Sequence, residues 1–119
     1  MKILTVDDSD LVRMMLRNIL EEQGHEVIEA ENGQKALEML QAHQDTDIVF
    51  LDWEMPVMNG YRFLTTVKDE GRAENTKIIM VTSLNKMSNV LDALKAGADE
   101  YIMKPFTAEI IVTKMNSVF

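Results

Sequence analysis

The sequence contains no cysteine, so disulfides, iron–sulfur clusters, thiolate zinc sites and cysteine nucleophiles are all excluded. Histidine is nearly as scarce. His25 and His43 are the only two, too few for a histidine-rich metal site. Basic residues are in deficit, 12 against 20 acidic, which gives a formal charge of −8 and a pI near 4.7. Such a chain repels phosphates, which argues against nucleic acid or an anionic membrane as a direct partner. No apolar run exceeds five residues, so none is long enough to span a bilayer. The N-terminus also lacks a secretory pattern, because Lys2 and a short apolar stretch run straight into Asp7 and Asp8. A cytoplasmic location is the expectation.

What is present suits one folded domain over residues 1–119. At 46% hydrophobic and 27% charged, the 119 residues have enough apolar material for one core. They leave little room for separate substrate and cofactor domains. Two hydrophobic periods alternate along the chain. Short apolar runs at Ile3–Val6, Val27–Ala30, Ile48–Leu51, Ile78–Val81 and Tyr101–Met103 predict strands. Between them, helical spacing groups Val12, Met15, Leu16 and Ile19, then Ala36, Leu37 and Leu40, then Tyr61, Leu64 and Val67. Val90, Leu91 and Leu94 form a fourth set, and Ile111, Met115 and Val118 a fifth. Ser9 and Thr107 are candidate N-caps, and Gly24 and Gly97 sit where helices should end. Among ten methionines, Met15, Met80 and Met115 fall on apolar positions and read as core fillers.

Five β–α repeats predict an α/β fold with a parallel sheet covered on both faces and right-handed crossovers. In about 120 residues this points to the flavodoxin-like (βα)5 three-layer sandwich, with strand order 2-1-3-4-5. Ligands of such sheets bind beyond the carboxyl ends of the strands where the order reverses, here between strands one and three.

The first strand ends in Asp7-Asp8 and the third in Asp52. Any one of these aspartates alone reads as an ordinary solvated residue. Two strands that each end in aspartate beside the switch point are another matter. Three carboxylates brought together repel one another and raise at least one pKa, and a divalent cation removes the penalty. Oxygen donors without sulfur or imidazole favour Mg²⁺, Mn²⁺ or Ca²⁺, and a site with few protein ligands suits Mg²⁺ best. Strand four ends in Val81-Thr82-Ser83 and strand five in Met103-Lys104-Pro105. A hydroxyl and an ammonium therefore join the same edge. Nucleophile, metal ligands and groups that neutralise phosphoryl oxygens are the parts that phosphoryl transfer needs.

These stretches, with VDDS at 6–9, LDWEMPVMNG at 51–60, VTS at 81–83 and AGADEYIMKPF at 96–106, resemble response-regulator receiver domains. The likeness is to stand-alone, chemotaxis-type (CheY-like) receivers and covers essentially the whole chain. The resemblance implies that Asp52 is the phosphoacceptor, attacking phosphorus to form an acyl phosphate. It implies Mg²⁺ held by Asp7, Asp8, Asp52 and the main-chain carbonyl of Glu54. It gives Lys104 a phosphoryl oxygen to pair with, Thr82 another to hydrogen-bond, and Lys104–Pro105 a cis peptide. Tyr101 matches the aromatic that turns inward when Thr82 moves toward the phosphoryl group; its plainer reading is a half-buried strand residue. Lys86, Lys95 and Lys114 lie on or near the face of helix four, strand five and helix five. They either favour an acidic partner or form an ordinary solvated surface.

Two positions depart from the pattern. Glu54 adds a negative charge near the site, and Leu84 is apolar where a polar group would orient a hydrolytic water, which leaves the phosphoryl lifetime open. Trp53, the single tryptophan, should report events at its neighbour Asp52.

The implied function is a phosphorylation-activated switch of a two-component system, charged by a histidine kinase, and not an enzyme in its own right. The last helix is expected to finish near Phe119, so the output expected is contact between proteins, by a monomer acting on a flagellar motor switch or kinase complex. The alternative is a phosphorelay intermediate that passes the group to a histidine phosphotransfer protein. A haloacid-dehalogenase-type phosphatase is disfavoured, because Asp52-Trp53-Glu54-Met55-Pro56 lacks both the second Asp and the Thr of D-x-D-x-T. A flavodoxin-like redox carrier needs a loop of Ser, Thr and Gly after strand one, where Asp7-Asp8-Ser9-Asp10 has the wrong charge. A scaffold that has lost phosphate chemistry fits poorly with an intact set of site positions.

Overall fold

A computed structural model of the chain describes residues 1–72, 74–83 and 87–119. Strands and helices alternate throughout. They are β1 (Lys2–Val6), α1 (Asp10–Glu22), β2 (Glu26–Ala30), α2 (Gly33–Ala42), β3 (Ile48–Asp52), α3 (Gly60–Asp69), β4 (Lys77–Ser83), α4 (Met87–Ala96), β5 (Glu100–Lys104) and α5 (Ala108–Ser117). The strands form one sheet in the order β2-β1-β3-β4-β5, and every pairing is parallel. This is the flavodoxin-like order expected above.

Alternation along the strands explains why helices cover both faces. Leu4, Val6, Val49, Leu51, Ile78 and Met80 point to one side, where they meet Ala36, Leu37 and Leu40 of α2, Phe63, Leu64 and Val67 of α3, and Val90 and Ala93 of α4. Ile3, Ile48, Phe50, Ile79, Val81 and Ile102 point to the other and meet Leu16 and Leu20 of α1 and Ile111 and Met115 of α5. The central strand β3 is buried at every position, and Ile48–Leu51 accordingly reads as a continuous apolar run ahead of Asp52.

The helix ends follow local chemistry. The Ser9 hydroxyl accepts from the Val12 N–H at 3.2 Å and that of Thr107 from Ile110 at the same distance. Asn32 and Asn59 cap α2 and α3 in the same way, each accepting a backbone N–H at 2.9 Å. Gly24 and Gly97 follow α1 and α4 with φ of +87° and +113°, where a side chain would be strained.

Several apolar positions lie outside the core. Met15 is 41% exposed, so it is not a core filler: the buried stripe of α1 runs through Leu16 and Leu20, and Met15 falls on its edge. Leu91 and Leu94 are likewise exposed, and Ala93 takes the inward position beside Val90. Tyr61 is exposed too, with its ring set edge-on against Trp53. Met80 and Met115 are buried as expected.

Candidate functional site

Strand register builds the site. Val6 of β1 pairs with Leu51 of β3, so the next residues, Asp7 and Asp52, leave the sheet side by side. Pairing of β4 with β5 sets Ser83 opposite Lys104 and brings Thr82 to the same edge. One carboxylate oxygen each from Asp7, Asp8 and Asp52 lie within 4.8 Å of one another. Asp7 and Asp52 are buried, at 2% and 7% exposure, while Asp8 is open to solvent. The Lys104 ammonium bridges the two buried acids, donating to Asp7 Oδ2 at 3.0 Å and Asp52 Oδ1 at 3.3 Å. The other Asp7 oxygen accepts the Ser9 N–H at 2.9 Å.

One ammonium cannot balance three carboxylates, and the electrostatics register the excess. Burial first, and then the charge of Asp7, push Asp52 up to about 6 against the opposing pull of Lys104. Burial alone would pull Lys104 down. Its hydrogen bond to Asp7 and the charges of Asp52 and Asp7 outweigh that and hold it above its ordinary 10.5. A compact, half-open set of hard oxygen donors with surplus negative charge fits a small divalent cation. Among the described residues, Asp7, Asp8 and Asp52 could hold it by their side chains.

The other expected positions are placed as follows. Thr82 is buried near the end of β4, at 3% exposure. Glu54 is exposed, two residues beyond Asp52 in the loop leading to α3. The Lys104–Pro105 peptide is cis. Tyr101 is half-buried on β5. The Lys114 ammonium stands 4.7 Å from its ring centre and 3.1 Å from the Glu100 carboxylate. Lys95 is exposed at the end of α4. Leu84 and Lys86 lie outside the described residues.

Two supports of the site escaped the sequence reading. Gly60 opens α3, and its N–H donates to the Trp53 carbonyl at 2.9 Å. A Cβ there would sit 2.3 Å from the Asp52 carbonyl oxygen, so only glycine lets the loop after β3 close this tightly. Within that loop Val57 adopts φ of 68°, rare for a β-branched residue. Arg13, in the first turn of α1, donates to the main-chain carbonyl of Asp7 and to the Asp10 carboxylate. The three-residue spacing of Asp10 and Arg13 was the one visible sign of it.

Comparison with known proteins agrees with this geometry. A family model described as the response regulator receiver domain matches residues 3–116. The chain is 42% identical over 119 residues to the chemotaxis protein CheY1 of Helicobacter pylori, covering 99% of this chain and 96% of that protein. It is 41% identical to a CheY homolog of Campylobacter jejuni, over 99% of this chain and 92% of that one. Among solved structures, Vibrio cholerae CheY4 superposes with a TM-score of 0.91 at 31% identity, covering 99% and 98% of the two chains. A Borrelia burgdorferi CheX–CheY–BeF3–Mg²⁺ complex gives 0.91 at 32% identity, covering 99% of this chain and 88% of that one. The chain belongs to the response regulator receiver family.

Proposed function

We propose that this chain is a phosphorylation-activated switch of a two-component system, working in the cytoplasm as one receiver domain over residues 1–119. It takes a phosphoryl group from a histidine kinase onto Asp52 and signals by contact with an output protein in chemotaxis control. The observation that carries this is the gathering of Asp7, Asp8 and Asp52 within 4.8 Å, with Lys104 bridging two of them.

The chemistry follows from the placement. Asp52 ionises near neutral pH, so one of its oxygens is available to attack phosphorus while the donor's bond to phosphorus breaks and its leaving group departs. Mg²⁺, when bound by Asp7, Asp8, Asp52 and the main-chain carbonyl of Glu54, supplies charge neutralisation for the phosphoryl oxygens. Lys104, held above its ordinary 10.5, is cationic at neutral pH and adds a point charge on the same side. The Thr82 hydroxyl, at the end of β4 on the same sheet edge, is the donor assigned to another phosphoryl oxygen. Tyr101 of β5, with Lys114 and Glu100 beside it, is the group that would respond when Thr82 moves.

The named relatives support chemotaxis over the relay alternative, since both are chemotaxis proteins. The Borrelia complex, which contains Mg²⁺, supports the choice of cation. Incubation with acetyl phosphate tests the reading. Wild type should be modified only when Mg²⁺ is present, and Asp52→Asn should not be modified at all. Modification without a divalent cation, or of the Asn variant, would count against it.

A further inference from the structure

We infer that Arg13 is a positioning residue for the cation site, acting through the peptide that joins Asp7 to Asp8; the inference rests on the site reading proposed above. Asp8 is exposed, so its direction depends on the backbone that carries it. That backbone is gripped from both ends. On one side the Asp7 N–H donates to the Ala30 carbonyl of β2 at 3.2 Å. On the other, the Asp7 carbonyl, which belongs to the Asp7–Asp8 peptide, accepts from Arg13 Nη1. Holding that oxygen fixes the peptide plane, and with it the direction in which the Asp8 carboxylate leaves the chain.

Arg13 is well suited to this because it is itself anchored. Its side chain is only 13% exposed and runs back toward the start of α1, over the β1–α1 loop. The planar guanidinium spends its donors in three directions. Nη1 takes the Asp7 carbonyl, Nη2 takes the Asp10 carboxylate, and Nε donates to Glu29 Oε1 at 3.2 Å. Glu29 stands on β2 opposite Thr5 of β1, so this last bond ties the metal loop to the rigid sheet. The remaining Glu29 oxygen is held by Arg17. Arg17 therefore shares the anchor but does not touch the Asp7 carbonyl, which makes it the natural control.

Groups one step removed from a metal site commonly change affinity by about ten- to a hundredfold when removed. Mg²⁺ titration of the full chain, followed by Trp53 emission and by calorimetry, tests whether Arg13 is such a group. Arg13→Ala should weaken Mg²⁺ binding by about tenfold or more, while Arg17→Ala should stay within about twofold of wild type. Arg13→Lys should recover part of the loss, because an ammonium can reach one acceptor but not all three. Should Arg13→Ala fail to fold by circular dichroism, Arg13→Lys compared with Arg17→Ala carries the test. A purely structural role would lower the melting temperature in chelator without moving the Mg²⁺ affinity. That result, or equal weakening by Arg17→Ala, overturns the inference while leaving the cation site intact. Wild type that binds no Mg²⁺ overturns the site reading and this inference with it.

Discussion

Replacing Asp52 with asparagine should make the cation-free protein more stable at neutral pH, although it destroys the proposed phosphoacceptor. Asp52 is buried beside Asp7, and its pKa stands at about 6 instead of the ordinary 3.8. A carboxyl whose folded pKa is raised binds its proton more tightly in the native state than in the unfolded one. Above pH 6 the native state holds a disfavoured charge, and the gap between the two values corresponds to about 3 kcal/mol. The penalty shrinks as pH falls from 6 toward 3.8 and is gone below that, where both states are protonated. Asparagine keeps the shape without the charge. Urea unfolding in chelator should therefore show Asp52→Asn more stable than wild type by about 3 kcal/mol at pH 8, or roughly 10 °C in melting temperature. The difference should close on acidification to about pH 4. Saturating Mg²⁺ should close it from the other direction, since at about a hundred times its Kd a ligand adds about 2.7 kcal/mol, chiefly to wild type. A variant no more stable than wild type at pH 8, or a gap indifferent to both acid and Mg²⁺, would refute the electrostatic reasoning.

Three further outcomes follow. Lys104→Met removes the cation shared by Asp7 and Asp52 and should cost about 3 kcal/mol in urea unfolding at pH 8. Because the Lys104 pKa is raised, that loss should be complete below 10.5 and fade as pH climbs through the raised value; a pH-independent loss would contradict the pairing. Gly60→Ala drives a methyl group to 2.3 Å from the Asp52 carbonyl oxygen, so thermal unfolding should register a loss of about 2 kcal/mol or more, with weakened Mg²⁺ binding; a neutral substitution would mean that the loop yields freely. Glu54→Gln removes an exposed negative charge near the site and should change the rate of modification by acetyl phosphate, and an unchanged rate would remove Glu54 from the account.

The fold was readable because two periods are written plainly into the chain. Runs such as Ile48–Leu51 are apolar at every residue, and a strand between two helical layers demands this. The meeting of Asp7, Asp8 and Asp52 was readable for a topological reason: once strand order is known, the tips of β1 and β3 must be neighbours. Helix faces were harder. Met15 and Leu91 satisfy a 3.6-residue period but sit at the rim of the buried stripe, and periodicity does not fix where a stripe's edge falls. Arg13 and Gly60 were hidden for another reason. Arg13 binds the main-chain carbonyl of Asp7 and Gly60 leaves room for that of Asp52, and the positions of carbonyl groups are set by the folded backbone and not by residue type.

The most direct test of the central claim is to locate the phosphoryl group by peptide-level mass spectrometry after treatment with acetyl phosphate and Mg²⁺. A single modified residue, Asp52, absent from the Mg²⁺-free control, is the expected result. Modification at Asp7, at Asp8 or at a hydroxyl such as Thr82 with Asp52 untouched would contradict it.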